Sequence, residues 1–158
     1  MHWFAQSKEY TSINQLFLGR AELITQPLTI KLNPATPFTI LPSGTYNQAR
    51  AQLLNNIGTG EFQCDEHMCI VFRPCSQIQG PALTFQMNNG KFWEVPRSSL
   101  LIDGAKFKLK FDLINKSFNQ KPFCVLGVAT NFEYEAQGQI TLGTEFMRHY
   151  YAVIDHEN

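Results

Sequence analysis

A chain of 158 residues, 44% of them hydrophobic, is long enough to bury one ordinary core and too short for two. Thirteen basic side chains balance thirteen acidic ones and charged residues make up only 16% of the chain, which leaves no electrostatic footprint for nucleic acid or an anionic membrane. Thirteen Phe and five Tyr exclude disorder, and a mean hydropathy of -0.20 without an apolar run of about 18 residues predicts no membrane span.

In chain order, the opening Met1-His2-Trp3-Phe4-Ala5-Gln6-Ser7-Lys8-Glu9 is polar after its first few residues and lacks the apolar stretch and small-residue cleavage site of a secretory signal, so the signal is absent or the chain is mature or partial. Leu28-Thr29-Ile30-Lys31-Leu32 alternates as a strand. From Gly44 to Gly58 the spacing sets Tyr46, Ala49, Leu53 and Ile57 on one helical face, with Gly58 as the stop. Cys69-Ile70-Val71-Phe72 reads as a further strand.

Leu83 to Met87 and Phe92 to Val95 alternate on either side of Asn88-Asn89-Gly90, whose residue types tolerate the positive φ of a tight turn, and this predicts a β-hairpin. Phe107 to Phe111 reads as another strand, Thr144 to Arg148 as a short helix, and Tyr150 to Ile154 as β-prone chain. No repeat or low-complexity linker interrupts the sequence, so residues 1–158 are expected to form one mostly β domain with short helices.

Four cysteines, Cys64, Cys69, Cys75 and Cys124, leave three readings: two disulfides, free thiols, or a metal site that recruits His67. Cys64-x2-His67-x-Cys69-x5-Cys75 lacks the paired spacing of a zinc ribbon or finger, which favours disulfides over metal, and no cofactor is expected. The sequon Asn115-Lys116-Ser117 is a glycosylation candidate of low specificity. Asp65, Glu66 and His67 are adjacent residues of a polar loop and are read as solvated, and His149 as structural or exposed. The Phe content exceeds the obvious needs of one core, which leaves two readings: some Phe packs against another chain, or the core is simply Phe-rich.

The C-terminal run Ile140-Thr141-Leu142-Gly143-Thr144-Glu145-Phe146-Met147-Arg148-His149-Tyr150-Tyr151-Ala152-Val153-Ile154-Asp155 resembles the end of a pepsin-like aspartic protease, commonly I-L-G-D-x-F-L-R-x-Y-Y-x-x-F-D. The stretch from Pro81 through Gly90 to Val95-Pro96 is similar to a hairpin of the same family's C-terminal lobe. Trp3, Ile13 and Leu16-Phe17-Leu18-Gly19 resemble the start of that lobe, and Tyr46 to Gly58 lies where its helix after the catalytic loop belongs. The resemblance covers nearly the whole chain but only one of the family's two lobes. It implies a single lobe of the pepsin-like β-barrel fold, a Cys75–Cys124 bridge matching the family's C-lobe disulfide, and a local Cys64–Cys69 bridge.

On this resemblance the catalytic V-D-T-G-T-S-L falls on Leu32-Asn33-Pro34-Ala35-Thr36-Pro37-Phe38, so that Asn33 stands in place of the catalytic aspartate. Aspartic proteolysis needs two carboxylates sharing a proton, one from each lobe, and a neutral amide cannot ionise to take a proton from water. Pro34 replaces the bracing Thr and has neither hydroxyl nor N–H, Ala35 replaces Gly, and Pro37 replaces Ser. No Asp or Glu lies between Glu22 and Glu61, so a shifted alignment supplies no carboxylate either.

The expectation is a catalytically inactive pepsin-like homologue acting as a protein-binding or structural subunit of an assembly. The alternatives are the C-terminal lobe of a processed aspartic endopeptidase whose other lobe lies upstream or on another chain, and a peptide-binding module that uses Asn33 and Thr36 without cleavage. The sequence ends short of the last strand that the family adds, which leaves two expectations: a partner completes that sheet, or its edge is blocked. The resemblance and the even cysteine count place the protein outside the cell or in the endomembrane or vacuolar system.

Overall fold

A computed structural model describes residues 12–88, 90–107, 123–131 and 138–148, apart from the side chains of Lys106 and Phe107. Asn89, the Asn115 sequon, His149, Trp3 and the segments 108–111 and 150–154 lie outside the described residues.

Period-2 patterning builds most of the strands. In β1 (Ser12–Leu18) Ile13, Leu16 and Leu18 are buried, and in β3 (Leu28–Leu32) Leu28 and Ile30 face in while Thr29 and Lys31 face out. The parity change between Ile13 and Leu16 coincides with a register irregularity between Ile13 and Gln15, where β1 pairs with β7 (Leu83–Met87). The hairpin expected from the sequence forms between β7 and β8 (Phe92–Val95), with Leu83 opposite Val95 and Phe85 opposite Trp93. Its turn closes through Gly90 N–H donating to Met87 O and Met87 N–H to Lys91 O, and Gly90 adopts φ +89°.

Two sheets result. The larger also contains β2 (Ala21–Glu22), β4 (Thr39–Leu41), β11 (Val128–Thr130) and β12 (Gln139–Leu142), in the order β11-β4-β12-β3-β1-β7-β8 with β2 beside β1. The smaller runs β5 (Phe62–Cys64), β6 (Cys69–Val71), β10 (Cys124–Leu126) and β9 (Leu101–Asp103). Among the described residues the large sheet is an open path, so the fold is mostly β with a mixed sheet and no closed barrel.

Helix α1 (Ser43–Leu53) buries Tyr46, Ala49 and Leu53, the face expected from the spacing, but it stops five residues before Gly58. Leu54 caps it, because Asn55 and Asn56 are poor helix formers whose side chains compete for the backbone, and Ile57 N–H closes a turn onto Leu54 O. Arg97–Leu100 forms α2, and residues 144–148 form α3 where the short helix was expected. Phe107 ends a 3-10 turn over Gly104–Phe107 instead of opening a strand. Its segment follows Asp103, whose Oδ1 accepts Ala105 N–H and so starts a turn.

The main core lies between the sheets and helices, where Tyr46, Leu41, Phe85, Leu100, Leu126 and Phe146 are at most 2% exposed. A second cluster forms around Ile70, Ile102 and Val125, against which Phe38, Met68, Phe72 and Phe123 pack. These Phe side chains serve the intrachain packing of the small sheet, which accounts for part of the high Phe count.

Candidate functional site

The loop from Asn33 to Phe38 leaves the end of β3 and returns as β4. Strand β12 lies between those two strands, parallel to β3 and antiparallel to β4, while β11 runs parallel to β4 on its other side. The loop therefore crosses the end of β12, where the chain is Leu142-Gly143-Thr144. Asn33 N–H donates to Leu142 O at 3.0 Å, and Thr144 donates to Thr36 O from its backbone N–H at 2.7 Å and from Oγ1 at 3.3 Å.

Gly143 permits this crossing. A Cβ there would lie 2.5 Å from Phe38 O and 3.0 Å from Pro37 C, and would also run into Thr36 O, so only hydrogen fits beneath the loop. Gly127 does the same where β10 passes into β11: its Cβ would meet Leu100 Cα at 2.9 Å, while Gly127 N–H donates to Leu100 O and Thr39 N–H to Gly127 O.

The loop's own polar atoms are turned inward on the chain. Asn33 Oδ1 accepts Ala35 N–H at 2.8 Å, and Thr36 Oγ1 accepts Phe38 N–H at 3.2 Å. Pro34 and Pro37 contribute no N–H. Pro34 and Ala35 are exposed, and Asn33 and Thr36 are half-buried. The loop is a braced turn carrying amide, hydroxyl and apolar groups, with no group that can ionise to activate water.

The structure brings Asn33, Pro34, Ala35 and Thr36 together with Leu142 to Thr144 at one end of the large sheet. Cysteines 64 and 69 pair, as do 75 and 124, and both bridges match the pairing implied by the resemblance. Among the described residues no group of three or more His, Cys, Asp and Glu side chains is placed to hold a metal ion.

The Cys64–Cys69 loop holds the feature that sequence reasoning missed. Asp65 Oδ1 accepts the N–H groups of His67 and Met68, and Asp65 N–H donates to Met68 O. The turn presents His67 to β11: Thr130 N–H donates to His67 O at 2.9 Å, and His67 Nδ1 lies 3.0 Å from Thr130 O. A carbonyl only accepts, so Nδ1 carries the proton in this contact. Thr130 Oγ1 in turn donates to Leu41 O at 2.8 Å. A polar loop residue thus covers both backbone groups of Thr130, a contact across 63 positions that composition does not signal.

Tyr46, in the core beneath this loop, has its phenolic oxygen 3.5 Å from Cys69 Sγ and the Arg50 guanidinium 5.5 Å from its ring centroid. Burial pushes its pKa above the usual phenol value of 10.0 and Asp65 adds to this, while Arg50 pulls the other way.

No protein-family model matches this sequence, and no curated protein matches it. Solved structures do. Basic 7S globulin from soybean superposes with a TM-score of 0.62 at 15% identity, covering 87% of this chain and 33% of that one. Conglutin gamma, a basic 7S globulin from lupine seeds, superposes with a TM-score of 0.60 at 13% identity, covering 85% and 32%. The chain spans about a third of the length of these solved chains. At this identity the likeness is one of architecture, and the chain has the pepsin-like fold of the basic 7S globulins.

Proposed function

We propose that this chain is a non-catalytic, single-lobe domain of the pepsin-like fold that acts as a protein-binding or structural unit of a larger chain or assembly. The observation that carries the reading is the loop at the catalytic position. On the resemblance Asn33 stands where the aspartate would be; its side-chain oxygen is engaged by Ala35 N–H, and no carboxylate lies within ten residues on either side in the sequence. The structural neighbours being seed globulins, about three times as long, supports a lobe within something larger. Two disulfides support an oxidising compartment, either secreted or vacuolar.

The test pairs two measurements. The protein is incubated with an unfolded substrate protein at acid pH, where no cleavage is expected; cleavage blocked by a transition-state analogue of peptide hydrolysis overturns the reading. Native mass spectrometry of the protein from its source then identifies what accompanies it. An unrelated subunit or a longer chain supports the binding role, whereas a partner lobe carrying a D-T-G motif points to a processed peptidase.

A further inference from the structure

We propose that the Cys64–Cys69 disulfide is a reducible latch that holds His67 on the edge of the large sheet, and that Tyr46 assists its opening. This inference is independent of the binding role.

The two cysteines sit directly opposite each other on β5 and β6 and close a turn of only four residues. Among the described residues β5 is the outer strand of the small sheet, paired through three residues on one side only. The Cys75–Cys124 bridge is anchored differently, because Cys124 pairs with Val71 on one side and Asp103 on the other in an interior strand. Fraying of an outer strand is a local event, whereas exposing Cys124 requires opening the middle of the sheet. Cys64 is half-buried and Cys69 is 1% exposed, so a reductant reaches the latch from the Cys64 side.

That direction gives Tyr46 a chemical role. A disulfide sulfur carries no hydrogen, so in the 3.5 Å contact the Tyr46 hydroxyl is the donor and Cys69 Sγ the acceptor. The reductant is a dithiol of the thioredoxin type. Its thiolate attacks Cys64 Sγ, the Cys64–Cys69 bond breaks, and the electron pair leaves on Cys69 Sγ beside the phenol O–H. The second thiol then displaces Cys64 from the mixed disulfide. The products are two cysteine thiols and the oxidised reductant, with both protons coming from the dithiol. A hydrogen bond to the leaving sulfur strengthens as negative charge develops on it.

Latch and edge are joined through the turn. Among the described residues β11 ends the large sheet and pairs only with β4, and His67 occupies both main-chain groups of its last residue, Thr130. With the disulfide closed, His67 cannot leave without bending a cross-linked hairpin. With it open, the tip separates from β11 and uncovers an edge that has no other strand beside it among the described residues, next to β4, the strand into which the Asn33 loop runs.

The experiment titrates the folded protein with dithiothreitol, traps thiols by alkylation and maps them by mass spectrometry, with hydrogen exchange read at Thr130. Cys64 and Cys69 are expected to be alkylated before Cys75 and Cys124. Exchange at Thr130 should then rise on the order of tenfold while the β7 amides stay protected, the scale set by losing one backbone hydrogen bond and its neighbour. Tyr46→Phe should slow the first reduction several-fold without changing the second. Opening of Cys75–Cys124 first or simultaneously overturns the proposal, as does unchanged Thr130 exchange in the reduced protein. A folded Tyr46→Phe variant reduced at the native rate removes Tyr46 from it. If that variant does not fold, the order of alkylation and the Thr130 exchange of a Cys64→Ser/Cys69→Ser double variant decide the latch.

Discussion

Gly143 lies beneath Thr36 so closely that a methyl group on it would overlap the Thr36 carbonyl and stand 2.5 Å from Phe38 O. The obstacles are backbone atoms held by the pairing of β3, β4 and β12, and they cannot swing aside as a long side chain would. Gly143→Ala is therefore expected to lower stability by about 3 kcal/mol, the upper range for overpacking, measured as a shift in the urea midpoint. Gly44 provides the contrast. It lies in α1 with nothing within 4 Å of its Cβ position, so Gly44→Ala should raise stability by up to about 1 kcal/mol by restricting the unfolded chain.

Substituting Asn33 separates loop structure from chemistry. Asn33→Asp keeps an oxygen that can accept Ala35 N–H, so the fold should be retained and stability should change little. It supplies one carboxylate where the chemistry needs two sharing a proton, so cleavage of an unfolded protein at acid pH should stay undetectable. Asn33→Ala removes the acceptor and should cost about 1 kcal/mol in the same urea titration.

Strands that alternate at an interface with solvent were readable from the sequence: Leu28 to Leu32 and the two arms of the Leu83–Val95 hairpin lie where their patterns put them. Strands β4 and β11 were not, because three-residue segments buried along nearly their whole length carry no period to detect. The loop's lack of a carboxylate was plain from Asn33, Pro34 and Pro37. Its bracing was not, since Thr144 meets Thr36 across 108 positions and local patterning carries no record of a contact that distant. The same holds for His67, which is exposed as its polar loop led one to expect and yet reaches Thr130. Helix α1 was read too long because periodicity carried Ile57 onto the apolar face after Asn55 and Asn56 had already ended the helix.

Tyr46 should give the fold an alkaline limit. Its hydroxyl titrates higher in the folded chain than the usual 10.0, chiefly through burial, so between those two values the unfolded state has lost the proton and the folded state has kept it. Stability from this residue is fully present below pH 10 and is lost as pH rises through that window. Urea titrations across alkaline pH should show the decline in the native protein and a flatter profile in Tyr46→Phe, which has no proton to lose. A Tyr46→Phe profile as steep as the native one would assign the limit to another group.

The two disulfides should differ in what their removal costs, and the difference follows from loop length. Cys75–Cys124 joins residues 49 apart, while Cys64–Cys69 joins residues 5 apart. In the chain-entropy account a loop of the first size stabilises by about 4 kcal/mol and one of the second by about 2, because the longer loop withholds more freedom from the unfolded chain. The longer bridge also ties the turn at Cys75 to interior strand β10, where Cys124 is fully buried, so its loss disturbs packing as well. Cys75→Ser/Cys124→Ser is thus expected to cost roughly twice as much as Cys64→Ser/Cys69→Ser by urea denaturation. Equal losses would mean that the native contacts around each bridge, rather than the freedom of the unfolded chain, set their worth.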